Sequence, residues 1–230
     1  LSNNITHYDD FIVWDKLKFH NKKSGHFTHG WVRVFIDDEL IHDGPNLIVG
    51  NGRSYASQLL FPTAATSDGS VIKNLSSYKI SHFAVGSGGV DVSGESIVYL
   101  GPDISDNSLG VPIGLGNEAY LDEPSGYVNM NESPLIHTHS NAIKPINEYV
   151  REPMRYGGSE SYYTKVKCTC IIPPGEPSAL QPGTSVKINE AGLYMTNTDL
   201  TDIVLFARIC FDTKNIELES SFKIYWYNLC

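Results

Sequence analysis

The chain has little cysteine: four in 230 residues, at Cys168, Cys170, Cys210 and Cys230, all in the last third. That number and placement exclude the disulfide framework of a small secreted domain and favour synthesis in a reducing cytoplasm. Charge is also scarce, with Asp, Glu, Lys and Arg making up 19% against roughly 25% in an average soluble domain. So thin a charged coat points to a surface covered by other subunits, in a homo-oligomer or a larger assembly. Bases are the scarcer sign, 17 against 26 acids for a net charge of -9. Direct nucleic-acid binding is therefore not expected, because nothing offsets repulsion from a polyanion. No uncharged apolar run of about 18 residues occurs, so no helical membrane span is expected. The opening Leu1-Ser2-Asn3-Asn4, with acids by residue 9, lacks the basic-then-apolar order of a secretory signal.

What the chain does have is turn and strand material: 20 Gly, 12 Pro and 13 Tyr. Val32, Val34 and Ile36 alternate with Trp31, Arg33 and Phe35, and after Asp37-Asp38-Glu39 a run from Leu40 to His42 completes a predicted hairpin. Gly44-Pro45 punctuates the chain, Asn46 to Val49 reads as a separate short strand, and Arg53 to Leu60 as a short helix closed by Pro62. Tyr78 to Val85 reads as a strand ended by Gly86-Ser87-Gly88-Gly89. Lys165 to Ile172, Val186 to Tyr194, Ile203 to Phe211 and Ser221 to Leu229 supply four more strands, with turns at 196–199 and 212–215. This succession predicts a mainly β fold, an antiparallel β-sandwich with one short helix. Between about 90 and 160, Pro102, Pro112, Pro124, Pro134, Pro145 and Pro153 break every period. The stretch reads as a long irregular insertion in one domain spanning 31–230. Residues 1–30 read as an N-terminal arm whose apolar side chains, Trp14 and Phe19 among them, dock on a neighbouring subunit.

Reactive chemistry is hard to find. Gly86-Ser87-Gly88-Gly89 follows a strand, yet no Gly-Lys-Ser/Thr follows it, so a glycine turn is favoured over a phosphate loop. The three acids Asp37, Asp38 and Glu39 are consecutive, whereas a calcium cage needs ligands spaced around a loop. Cys168 and Cys170 share one strand face about 7 Å apart. Zinc there would need Cys210 and a further ligand, and buried reduced thiols are the simpler reading. The sharpest metal candidate is His137-Thr138-His139. Its imidazoles, at i and i+2 of an extended segment, share a side, and three copies on a trimer axis would offer an octahedral set to a transition metal such as iron. The alternative is a solvated polar loop, and no other cofactor is expected. No nucleophile elbow and no paired carboxylates are apparent, so the chain is read as a non-enzyme.

Four islands carry a resemblance: Pro45 to Arg53 (PNLIVGNGR) with its following helix, Ile80 to Gly89 (ISHFAVGSGG), Ile188 to Tyr194 (INEAGLY), and Leu205 to Ile209 (LFARI) leading to Phe222 to Trp226 (FKIYW). Together they resemble virion structural proteins of tailed bacteriophages, of the tail-fibre, collar and baseplate-associated kind. The resemblance implies a virion component made in the host cytoplasm that assembles with other virion proteins in the tail, neck or baseplate. Head decoration as a cement protein, or a carbohydrate-binding module that recognises a host glycan, are the alternatives. The residues of the islands fit a scaffold. Asn51 and Gly52 are expected to supply positive φ at a strand-to-helix corner, and Gly192 to let a strand bend or a neighbouring backbone approach. Glu190 and Arg208 sit on successive predicted strands, placed either to pair across them or to remain two solvated charges. Trp226 is expected to face the core.

Overall fold

A computed structural model describes residues 29–60, 77–91, 98–110, 143–153, 164–174, 185–198, 202–217 and 219–229. The first hairpin joins β1 (His29–Ile36) to β2 (Glu39–Ile48) through Asp37 and Asp38, whose φ angles of 49° and 64° are those of a tight two-residue turn matched to the strand twist. Here 29 and 30, read as the end of the arm, already belong to β1. A single strand β2 replaces the two short runs expected around Gly44-Pro45. Pro45 is tolerated because β10 reaches β2 only at Leu47 and Ile48, so no second ladder needs its missing N–H. Then follow α1 (Gly50–Leu60), β3 (Lys79–Gly86), β4 (Val90–Asp91), β5 (Val98–Tyr99), β6 (Lys144–Pro145), β7 (Glu148–Pro153), β8 (Thr164–Ile172), β9 (Ser185–Thr196), β10 (Ile203–Glu217) and β11 (Phe222–Leu229).

Nine strands form one antiparallel sheet in the order β6-β3-β9-β10-β2-β1-β11-β8-β7, and β4 pairs with β5 in a separate ribbon. The fold is mainly β, with one short helix among the described residues, as the residue pattern implies. Its layers are one continuous sheet curled into a half-barrel. β6 and β7 stand at opposite ends of the strand order, yet only Ile146 and Asn147 separate them. The Ile146 amide donates to Ser81 O on β3 and the Asn147 amide to Thr169 O on β8, both at 2.9 Å, which draws the two ends of the sheet together. The stretch expected to be wholly irregular therefore completes the sheet. Within it, 92–97, 111–142 and 154–163 lie outside the described residues.

Inward-facing side chains from both halves of the curl meet in one cluster, including Val34, Phe83, Leu193, Ile209, Ile224 and Trp226. On β3, β9 and β10 the opposite face is buried too, where Ala84, Tyr194 and Leu205 pack with Val49, Leu109 and Ile143. Covering both faces makes the run from Ile188 to Thr196 buried throughout instead of alternating. The expected turn at 212–215 lies inside β10, where the register with β9 slips between Cys210 and Lys214. A bulge absorbs Asp212 and Thr213 without ending the strand, and Lys214 and Asn215 rejoin the ladder opposite Ile188 and Lys187.

Helix α1 packs on β10. Neither Asn51 nor Gly52 has the positive φ expected of it; both lie in the first turn of the helix. Gly52 is needed for closeness: a Cβ there would stand 2.3 Å from the Phe206 carbonyl oxygen. Tyr55 of the helix meets Tyr78 edge-on at 5.5 Å, and the Tyr78 hydroxyl donates to Asp202 at 2.6 Å. No helix among the described residues is long and apolar enough to cross a membrane.

Two substitutions test this packing by urea denaturation. Trp226→Ala removes a fully buried indole from the inner cluster and is expected to cost about 3–5 kcal/mol. Gly52→Ala forces α1 away from β10 and is expected to cost about 1–3 kcal/mol. A loss at Gly52 below roughly 0.5 kcal/mol would mean that the helix shifts freely and does not depend on the close approach.

Candidate functional site

The outer face of β9 and β10 carries a buried charged cluster. Arg208 stands opposite Gly192, and Glu190 opposite Cys210, so the two charges meet on the diagonal between neighbouring positions. Their side chains pair as a fork: Arg208 Nε and Nη2 donate to Glu190 Oε2 at 3.1 and 2.7 Å. Glu190 is 0% exposed and Arg208 6%, so the alternative of two solvated charges is excluded. Backbone amides fill the carboxylate further. Gly88 N donates to Oε1 at 2.8 Å and Gly110 N to Oε2 at 3.1 Å. The remaining guanidinium nitrogen, Nη1, donates to Asp106 Oδ2 at 2.7 Å. That carboxylate also accepts from the Asp103 amide. Burial alone would lower the basicity of Arg208, but the hydrogen bond to Asp106 and the charge of Glu190 raise it further, so the guanidinium is held fully charged.

This cluster ties two loops to the sheet. The glycine turn after β3 presents amides in the manner of an anion nest, and the protein's own side chains occupy them: Glu190 at Gly88, and Asn189 Oδ1 at Gly89 at 2.6 Å. Close approach explains the glycines, since a Cβ on Gly89 would lie 2.5 Å from Asn189 O and one on Gly110 2.9 Å from Gly88 O. Gly192 serves a different end from the one expected. A Cβ there would meet the side chains of Leu205, Leu109 and Tyr194, with no backbone among its nearest contacts. The bare position is a seat for Leu109, which brings the 98–110 segment down over the ion pair.

Other candidates resolve differently. Asp37 Oδ1 accepts from the Ser221 amide at 2.7 Å and Asp38 binds Lys223 at 3.0 Å, so the hairpin acids secure the start of β11. Cys168 and Cys170 lie in the inner core, whereas Cys210 shares the outer face with Glu190 and Arg208, which keeps the three thiols from a common centre. Burial pushes the Cys170 thiol well up and that of Cys210 up to about 11, so both stay protonated. No group of three or more metal-ligating side chains occurs among the described residues. His137, His139, Trp14 and Phe19 lie outside them. On the outer face of β1, β11 and β8, Lys167 Nζ sits 4.4 Å from the Tyr225 ring centroid, and Tyr225 meets Phe35 edge-on at 5.5 Å. Tyr227 beside them is buried.

Of the cluster, Glu190 and Arg208 were visible as a pair in sequence. Asp106, Gly88 and Gly110 were not, because no period or spacing links residues some 80 to 100 positions apart. No family model, curated protein or solved structure matches the chain.

The cluster's coupling is measurable by a double-mutant cycle. Arg208→Met leaves the Glu190 carboxylate buried without its counter-charge and is expected to cost about 3–5 kcal/mol. Adding Glu190→Leu should recover part of that loss, with a coupling above about 1 kcal/mol. Strict additivity would show the two charges to be independent.

A second prediction concerns His42, beside Phe211 at 6.0 Å. Burial pulls its imidazole below the ordinary 6.5 by more than Asp43 and Asp212 raise it. The unfolded chain then takes up a proton that the folded chain refuses, so stability is whole above pH 6.5 and declines as the pH falls below it. His82 acts in the same sense, through burial and then Lys79. Urea midpoints from pH 8 to pH 5 should fall, and His42→Gln should flatten that fall. An unchanged slope in the variant would assign the whole effect elsewhere.

Proposed function

We propose that the chain is a non-enzymatic structural component of a tailed-bacteriophage particle, in its tail, neck or baseplate, working through protein–protein assembly. The observation that carries this reading is what the buried ion cluster is used for. Its carboxylates and guanidinium are engaged with one another and with loop amides, and they clamp the 98–110 segment onto the sheet. That segment in turn presents large apolar side chains outward: Val98, Leu100 and Ile104 are 50%, 41% and 51% exposed. A rigid backbone displaying apolar side chains suits an interface, since little ordering entropy is lost when it is covered. The low overall charge supports the same reading, as do the four islands that resemble virion proteins. Repetition of the contact by particle symmetry would supply avidity that one contact lacks.

The test is localisation followed by disruption. Mass spectrometry and immunogold labelling of particles raised from the encoding genome should find the chain at the tail, neck or baseplate; label on the head would instead make it a decoration protein. Leu100→Asp with Ile104→Asp should leave the thermal melt unchanged while abolishing incorporation. Deleting residues 1–22 should do the same if the arm docks on a neighbour. Absence from particles, or turnover of a glycan or ester that a single substitution abolishes, would overturn the proposal.

A further inference from the structure

The inner cluster of the half-barrel is apolar, and polar side chains gather at one corner beside it. On β2, β1 and β11 the inward positions run in rows across the strands: Gly44, Val32 and Trp226 form one row, and His42 and Val34 share the next, with Ile224 beyond them. One step the other way, Gly30 lies between Asn46 and Asn228. A Cβ on Gly30 would stand 2.3 Å from Asn46 Oδ1 and 2.8 Å from Asn228 Oδ1, so both amides lean over the bare glycine from opposite sides. Gly44 is the second bare position, and a Cβ there would stand 3.0 Å from His42 Nε2.

Five buried polar atoms of β2 and β11 have no hydrogen-bond partner among the described residues: both amide atoms of Asn46, Asn228 Oδ1 and His42 Nε2 beside these glycines, and Trp226 Nε1, two residues before Asn228 on β11. Asn46 is 1% exposed and Trp226 0%. Native interiors satisfy such groups almost without exception, with ordered water where protein does not reach. The chemistry of the set limits what can serve it. The two Asn carbonyl oxygens only accept and the indole only donates, so an occupant must do both. Both oxygens lie within 3 Å of one point, which places them within about 5 Å of each other, the span that one water donating to two acceptors bridges. The atoms that lack partners belong to neutral groups, His42 included, since burial disfavours its charged form. An ion therefore finds no counter-charge among them.

The geometry points to an internal hydration site at this corner, where ordered water bridges Asn46 to Asn228 and accepts from the Trp226 indole. The glycines at 30 and 44 leave room for it. The β1–β2 hairpin is thus joined to β11 through solvent on its inner side as well as through its ladder.

Water-to-protein cross-relaxation by NMR on the full, nitrogen-15-labelled chain tests this. The Trp226 indole signal is assigned by elimination with Trp14→Phe and Trp31→Phe. The indole proton and the Asn46 side-chain amide protons are expected to show cross-peaks to water with the sign of a long-lived, protein-bound molecule. Asn46→Leu should remove the indole cross-peak; if that variant does not fold, the wild-type spectrum decides alone. The absence of a water cross-peak at both groups, or a through-hydrogen-bond coupling from the indole or the Asn46 amide to a protein carbonyl, would overturn the assignment.

Discussion

Taking a carboxylate out of water is tolerable only when every part of it is met by a donor, and the surroundings of Glu190 follow from that requirement. Arg208 meets it on the diagonal of the β9–β10 ladder, and the amides of Gly88 and Gly110 meet it from two loops. The guanidinium brought in to neutralise it needs its own acceptor, which Asp106 supplies. Each demand recruits a further piece of chain. A polar group placed beneath a loop thereby becomes the reason the loop has one position, because moving the loop would strand a buried charge.

The same logic explains why this part of the sheet is covered on both faces. A curled sheet buries its inner face against itself, and the outer face would ordinarily stay wet. Here Leu109 occupies the bare site at Gly192, and Val49, Ile143 and Tyr194 extend the cover. The ion pair is thus sealed by an apolar rim, where its hydrogen bonds are stronger than they would be in water. Outside this seal the clamped segment exposes Val98, Leu100 and Ile104 alongside the polar Asp103, Ser105 and Asn107.

The curl manages the ends of the sheet as well. An open nine-stranded sheet has two exposed edges, each a template for unwanted pairing. Joining β6 directly to β7 brings those edges together, and Tyr149 reaches across the gap to donate to Ile80 O at 2.8 Å. The hydrated corner near Gly30 lies within the same curl, where β2, β1 and β11 bring amides together in an otherwise apolar interior. Solvent pairing is cheaper there than leaving amide and indole groups unmet.

Alternation and turn residues by themselves determined the long strands β1, β3 and β8 to β11, the helix α1, the inward side of Trp226 and the antiparallel fold class, because each depends on the side-chain period and on local backbone preference. The possibility of a Glu190–Arg208 pair was legible for the same reason, since neighbouring strands make such a diagonal available. Only the tertiary structure decided the rest. It placed β1 and β2 between β10 and β11, and it made Lys144 to Pro153 the tie between the two ends of the sheet. It also carried the strand through the polar residues at 212–215, with Asp212 and Thr213 inside a bulge and Lys214 and Asn215 back in the ladder, and gave Gly52 and Gly192 their roles in close packing. Those outcomes depend on which distant segment arrives above a given residue. A glycine in a sequence states only that a side chain is missing, and the group that fills the space is set by long-range packing.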